Sequence, residues 1–191
     1  GFIYRQYYGN LIQTHANKDT VCMMVTSLKP RGGGIFREIT EIVQMYPDKD
    51  FYIISTESAQ SDDEAFEILS KYDRLKVIVV PKDCKDKLQF LLENYVKISP
   101  EKTYYYDPHD DLFPSAIMQT GFSKNVCLFS YDHGFVCNLS SSNIDCIISK
   151  RPSDYKMLKQ TFGKKVIYIP AWNDYNHCLD GFRYQPFNGH K

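Results

Sequence analysis

Residues 21–34 read Val-Cys-Met-Met-Val-Thr-Ser-Leu-Lys-Pro-Arg-Gly-Gly-Gly, and this stretch decides the fold. From Val21 to Ser27 the run is nearly continuous in apolar side chains, as a strand buried on both faces of a sheet must be. Pro30-Arg31-Gly32-Gly33-Gly34 then makes a tight loop. Ile35, Ile39, Ile42, Val43 and Tyr46 recur at helical spacing, and Pro47 closes that helix. A doubly buried strand, a glycine turn and an amphipathic helix open a βαβ unit.

The alternation continues outward from there. Strands are expected at Phe51–Thr56, Leu75–Val80, Thr103–Tyr106, Val126–Tyr131, Asp145–Ser149 and Val166–Ile169. Between them lie helical patterns. One opens at Ser61 and Glu64, spaced as a capping box, and carries Phe66, Ile68, Leu69 and Tyr72. A second carries Leu88, Leu91, Leu92 and Tyr95 and ends near Ser99-Pro100. A third runs Leu112–Thr120 with Pro114 in its first turn and Gly121 after its end, and a fourth runs Pro152–Phe162 up to Gly163. Strands alternating with such helices give right-handed crossovers and a parallel sheet. The fold class is α/β, doubly wound and mostly parallel, with the strand ending at Ser27 near the centre.

Composition excludes several classes. The chain has 191 residues with Lys+Arg and Asp+Glu both at 23, so no basic excess points to nucleic acid. No apolar run approaches the roughly 20 residues that a membrane-spanning helix needs. The six cysteines, Cys22, Cys84, Cys127, Cys137, Cys146 and Cys178, are scattered without a C-x-x-C pair. Cys22, Cys127 and Cys146 sit in strand-like runs, where a thiol behaves as a small hydrophobe. They read as reduced thiols of a cytoplasmic protein. Residues 1–20 form an aromatic-rich, helical opening (Phe2, Tyr4, Tyr7, Tyr8) suited to a peripheral membrane surface or to another domain. Residues 21–175 form the α/β domain, and 176–191 are a tail leading into a further domain. The start at Gly1 and the stop at His190-Lys191 suggest a piece of a longer protein.

In open α/β sheets, ligands bind outside the carboxyl ends of the strands. The residues that follow the strands are Lys29 to Gly34, Thr56-Glu57, Asp107-Pro-His-Asp-Asp111, Asp132-His133-Gly134, Ser149-Lys150-Arg151 and Ala171 to Asp174. Topology should line these clusters along one edge. The triple glycine offers backbone amides to an oxyanion, or is simply a turn. It is no P-loop, since no G-K-[ST] follows, and Arg37 stands where a dinucleotide fingerprint needs its third glycine. Glu57 lies where a ribose-binding acid would. His133 can act as a general base near pH 7, or be a loop histidine bonded to backbone. Asp110 or Asp111 can cap the helix at Leu112. Lys150-Arg151 can meet an anion, or form a solvated corner.

Four of these segments together resemble the N-terminal, acceptor-side domain of GT-B glycosyltransferases of the large retaining family. Arg31-Gly-Gly-Gly-Ile35 is similar to their glycine loop, and Phe51-Tyr-Ile-Ile-Ser-Thr56 to their second strand. Phe129-Ser-Tyr-Asp-His-Gly134 looks like the strand that ends in an acceptor-facing histidine. Asn143 to Lys150, the helix through Phe162-Gly163, and Val166-Ile-Tyr-Ile-Pro-Ala171 match a recurring strand–helix–strand stretch. In the family that stretch ends Ile-Pro-Asn-Gly, where this chain has Ala171-Trp172 after the proline. The resemblance spans about residues 20–175.

The resemblance implies a nucleotide-sugar donor held mainly by a second domain outside this chain, a sugar or lipid-linked glycan acceptor, and no metal or other cofactor. Bacterial surface polysaccharide or lipopolysaccharide synthesis is the usual setting, in the cytoplasm or at the inner face of the membrane. His133 would be base or hydrogen-bond partner at the acceptor, with Asp132 orienting it. Arg31, Gly33, Gly34, Glu57, Asp107, His109 and Lys150 would line the substrate cleft. Two other classes stay open on the residues alone. One is a metal-dependent hydrolase with Asp107, His109, Asp111, Asp132 and His133 as ligands. The other is a non-catalytic dinucleotide or small-molecule module with Glu57 on the ribose.

Overall fold

The structure is a computed structural model that describes residues 16–30, 34–57, 61–106, 111–129 and 142–169. Its sheet has seven strands in the order β3-β2-β1-β4-β5-β6-β7. They are β1 (Asn17–Val25), β2 (Asp50–Ser55), β3 (Leu75–Val79), β4 (Pro100–Tyr106), β5 (Lys124–Phe129), β6 (Cys146–Ser149) and β7 (Val166–Tyr168). Every adjacent pair is parallel. The doubly wound reading therefore holds, and β1 lies inside the sheet between β2 and β4.

The helices divide between the two faces as right-handed crossovers require. The helices α1 (Gly34–Met45) and α2 (Asp63–Leu69) cover one face. There Phe36, Ile39, Val43, Ala65 and Leu69 join Met23, Val25, Ile53, Tyr106 and Leu128 in one core cluster. The other face is covered by α3 (Lys87–Ile98), α4 (Phe113–Met118) and α5 (Pro152–Phe162). Leu91, Leu92, Tyr95, Ile117, Met118 and Leu158 pack there on Cys22, Met24, Ile54, Tyr105, Cys127 and Ile147. Alternate residues of β1 thus feed opposite cores, and this is why Cys22 to Val25 had to be apolar throughout. Burying each such side chain stabilises the fold by roughly 1.5–3 kcal/mol.

Several boundaries differ from the sequence reading. β1 begins at Asn17 and β4 at Pro100, earlier than expected, because their first residues are largely polar and carry no apolar signal. Pro100, as the first residue of β4, keeps its missing donor out of the ladder interior. The capping box at Ser61 does not form. The N-cap of α2 is Asp62, without a side-chain capping bond, and the Ser61 hydroxyl instead accepts the Leu28 N–H at 3.0 Å. Among the described cysteines, Cys22, Cys84, Cys127 and Cys146 are all free thiols. Cys137 and Cys178 lie outside the described residues, as does the aromatic opening up to residue 15.

Candidate active site at the carboxyl edge of the sheet

From β1 the chain winds outward to β2 and β3, then crosses back to β4 and winds the other way. The carboxyl ends of β1 and β4 are therefore the topological switch point, where open α/β sheets bind ligands. The described residues bring two polar groups to this edge, one on each face.

On the α3/α4 side stands Asp111, a carboxylate only 7% exposed. One oxygen, Oδ2, accepts the Thr26 hydroxyl at 3.2 Å and also the Thr56 hydroxyl. The other, Oδ1, accepts the Phe113 N–H at 3.0 Å just ahead of α4, but the N-cap of that helix is Leu112, without a side-chain capping bond, rather than Asp111 as the sequence reading allowed; Asp110 lies outside the described residues. The ends of β1 and β2 and the start of α4 are thereby tied to one side chain. Beside it, Glu57 Oε1 is 2.5 Å from Lys87 Nζ, and that ammonium lies 5.9 Å from the centre of the Phe113 ring. Glu57, a substrate-cleft residue in the sequence reading and the ribose partner in the dinucleotide alternative, is at the expected edge but engaged by Lys87.

On the α1 side the Lys150 ammonium, just past β6, reaches Glu38 of α1. It is no solvated corner, for its side chain is only 15% exposed. Burial lowers the Lys150 pKa to about 8, while the Glu38 carboxylate favours the charged form. At neutral pH the lysine therefore stays mostly protonated. Tyr106 closes β4 on the same face, in register with Leu128, which is itself in register with Ile148. Its hydroxyl is buried and finds no partner among the described residues, and burial pushes its pKa far up. Arg151 turns outward to Asp154 at 2.9 Å.

Gly34 begins α1 in open space, with nothing within 4 Å of where a Cβ would stand. Arg31, Gly33, Asp107, His109, Asp132 and His133 lie outside the described residues, so nothing here places them. Sequence reasoning missed four contributors: Thr26, Lys87, Glu38 and Tyr106. Thr26 was legible as the polar end of an apolar run. Glu38 and Lys87 read only as helix-surface charges, and Tyr106 only as an apolar strand residue.

The described residues also line an open hollow of about 490 Å³ at the opposite, amino edge, with Ser123, Asn125, Asn143, Asp145 and Lys165 among its walls. Its polar groups are largely consumed by one another. Ser123 and Thr103 bond the Tyr95 hydroxyl at 2.6 and 2.7 Å. Asn125 accepts from Tyr105 at 3.0 Å, and Asn143 donates to the Met118 and Gln119 carbonyls. This polar seam ties β4 to β5, away from the switch point.

No protein-family model matches the chain, and no curated protein matches it. Among solved structures, a glycosyltransferase from Rickettsia africae ESF-5 superposes with a TM-score of 0.59 at 16% identity. The chain shares its fold with that glycosyltransferase. The match covers 81% of this chain and 43% of the other, so the chain spans under half of that protein's length. At this identity the likeness is one of fold. No helix among the described residues is long and apolar enough to cross a membrane.

Proposed function

We propose that this chain is the acceptor-binding N-terminal domain of a nucleotide-sugar-dependent GT-B glycosyltransferase of the large retaining type, serving bacterial surface polysaccharide or lipopolysaccharide synthesis. The observation that carries the reading is the fold match to under half of a longer glycosyltransferase, by a chain whose polar strand ends gather at the switch point. The four sequence segments that resemble that family add to it. In this reading residues 21–175 are the acceptor-side domain, 1–20 an aromatic appendage, and 176–191 lead to a donor-binding domain. The protein works in the cytoplasm, peripheral to the inner face of the membrane.

The reaction breaks the bond between the sugar's anomeric carbon and the nucleotide diphosphate and forms one from that carbon to an acceptor hydroxyl. His133 takes the hydroxyl proton or holds the acceptor by a hydrogen bond, and Asp132 orients its ring. Arg31, Gly33, Gly34, Asp107, His109 and Lys150 line the cleft, with Glu57 at its margin behind Lys87. No metal or other cofactor is required.

The test has two arms. Calorimetry of this chain with UDP-, GDP- and ADP-sugars should show weak binding and no transfer. A Kd below about 1 μM, worth more than roughly 8 kcal/mol, would place the nucleotide site here and overturn the half-enzyme reading. In the longer protein His133→Ala should cut turnover by roughly tenfold or more while leaving Tm unchanged. Wild-type turnover in that variant would remove His133 from the chemistry.

A further inference from the structure

The two ends of the sheet differ in charge although the whole chain is neutral. Residues 150–169 carry six basic side chains (Lys150, Arg151, Lys156, Lys159, Lys164 and Lys165) against a single acid, Asp154, for a net charge of +5. Compensating acids lie elsewhere: residues 57–67 hold five, Glu57, Asp62, Asp63, Glu64 and Glu67, and no base. Sheet order puts the basic stretch at the β7 end and these acids at the β2–β3 end. Lys150 and Arg151 have carboxylate partners, Glu38 and Asp154. The Lys159 and Lys165 ammoniums instead meet backbone carbonyls, of Val166 and Ile144, which leave their charges unneutralised. Lys156 is exposed on α5.

The same end is apolar. β7 pairs with β6 and has no strand on its other side among the described residues. Ile167, Tyr168 and Ile169 are 41%, 41% and 48% exposed, the longest exposed run of large apolar side chains among the described residues. By strand alternation Tyr168 lies on the α5 face and the two isoleucines on the other, so the open edge is apolar on both. The Tyr155 and Tyr168 rings are 5.8 Å apart, and Lys159 Nζ stands 5.8 Å from the centre of the Tyr155 ring. Cations on flexible apolar stems are thus interleaved with aromatic and aliphatic groups. An exposed apolar run on an open sheet edge calls for a cover. Its composition says which. Protein interfaces exclude lysine from their centres. A second copy meeting this end across a two-fold axis would set like charges against one another. A membrane interface has the opposite preference: lysine stems bury while the ammonium reaches the headgroups, and tyrosine sits at headgroup level.

We propose that the β7 end, with Ile167, Tyr168 and Ile169 flanked by Lys156 and Lys159, docks on an anionic lipid surface. The apolar run enters the headgroup boundary and the lysines meet lipid phosphates, while the acidic stretch around α2 points away. This deepens the reading above, and rests on it only in taking that surface for the inner face of the membrane.

The experiment is flotation of the full chain with vesicles of mixed phosphatidylglycerol and phosphatidylcholine, and with vesicles of phosphatidylcholine alone. The chain should float with the mixed vesicles at low salt and be released as salt screens the lysines. Each basic residue near an anionic leaflet strengthens binding by about fivefold. Lys156→Gln/Lys159→Gln should therefore weaken partitioning by roughly twentyfold. Ile167→Ser/Ile169→Ser should weaken it by roughly tenfold, through the lost apolar insertion. These side chains lie at the surface, so both variants should melt close to the wild type, which circular dichroism checks. Asp63→Asn/Glu67→Gln removes two charges at the other end and should leave binding unchanged. The proposal is overturned if the chain does not float with the mixed vesicles, or floats equally well with phosphatidylcholine alone. Wild-type binding by either β7-end variant overturns it too, since another surface then holds the lipid. So does tighter binding by Asp63→Asn/Glu67→Gln, which would show that overall charge and not this patch decides. If light scattering finds the chain self-associated through Ile167 and Ile169 and the vesicles unoccupied, a second copy covers the edge and the proposal falls. Vesicle binding as described, with no sugar transfer by the longer protein, leaves the lipid surface standing and removes the glycosyltransferase reading. Transfer activity without vesicle binding has the opposite meaning.

Discussion

Removing the Asp111 carboxylate tests whether the switch point is held by a single side chain. Three donors converge on it: the Thr26 and Thr56 hydroxyls and the Phe113 N–H. Hydrogen bonds to a charged group contribute about 1.5–3 kcal/mol each. Asp111→Ala does not lose the whole sum, because two of the donors have alternatives. The Thr56 hydroxyl already lies 3.4 Å from the Val25 carbonyl, and Thr26 is half-buried at the edge, within reach of water. The Phe113 N–H opens α4 and has no such substitute for this carboxylate. Counting one bond in full and half of each other, at the low end of that range, gives a loss of about 3 kcal/mol. In a chain of this size that lowers Tm by roughly 6–12 °C. Asp111→Asn keeps one oxygen for the Phe113 N–H and turns its amide toward hydroxyls that can also accept, so it should lose only about 1 kcal/mol. Circular dichroism melts and urea titrations read both, with the urea slope unchanged if the folded and unfolded states stay as compact as before. A melting temperature for Asp111→Ala within about 1 °C of the wild type would show that the carboxylate does not tie these three elements together.

Two further outcomes follow from other positions. Tyr106→Phe deletes a buried hydroxyl without a partner among the described residues, and should raise the stability of the unliganded chain by about 1 kcal/mol, or roughly 2–4 °C in Tm; a loss of stability would mean that the hydroxyl is satisfied after all. Gly163→Ala puts a side chain on a backbone at φ 62°, ψ −127°, a region that residues other than glycine rarely adopt, and thermal melts should register a loss of about 1–3 kcal/mol; an unchanged Tm would show that the turn before β7 relaxes freely.

The fold was legible because the α/β pattern is a local signal repeated along the chain. Cys22 to Val25 reads as doubly buried before any partner is known, and Ile39 and Val43 mark the side of α1 that must face it. The same signal explains the errors at strand starts. Asn17 to Asp19 are exposed, so only their pairing into the sheet makes them strand, and no periodicity announces that. Ser61 shows a local rule overridden by a distant partner. Its spacing to Glu64 fits a capping box, but the Leu28 N–H, 33 residues away, takes the hydroxyl instead. The edge itself could be foreseen, since topology sends every strand end to it. Which polar groups pair there could not, because Thr26 meets Asp111 over 85 residues and Glu38 meets Lys150 over 112.

The two groups at this edge differ in what they leave over. On the α3/α4 side Asp111 spends both oxygens on the protein, and Glu57 and Lys87 neutralise each other. A ligand there would have to break bonds that hold β1, β2 and α4 together. On the α1 side a single flexible carboxylate covers the lysine, and the tyrosine hydroxyl is unspent among the described residues. Gly34 and the start of α1 open on that same side, with no described side chain in the way. On the glycosyltransferase reading proposed above, substrate contacts are therefore expected on the α1 face of the switch point, where fewer of the described polar groups are spent on one another.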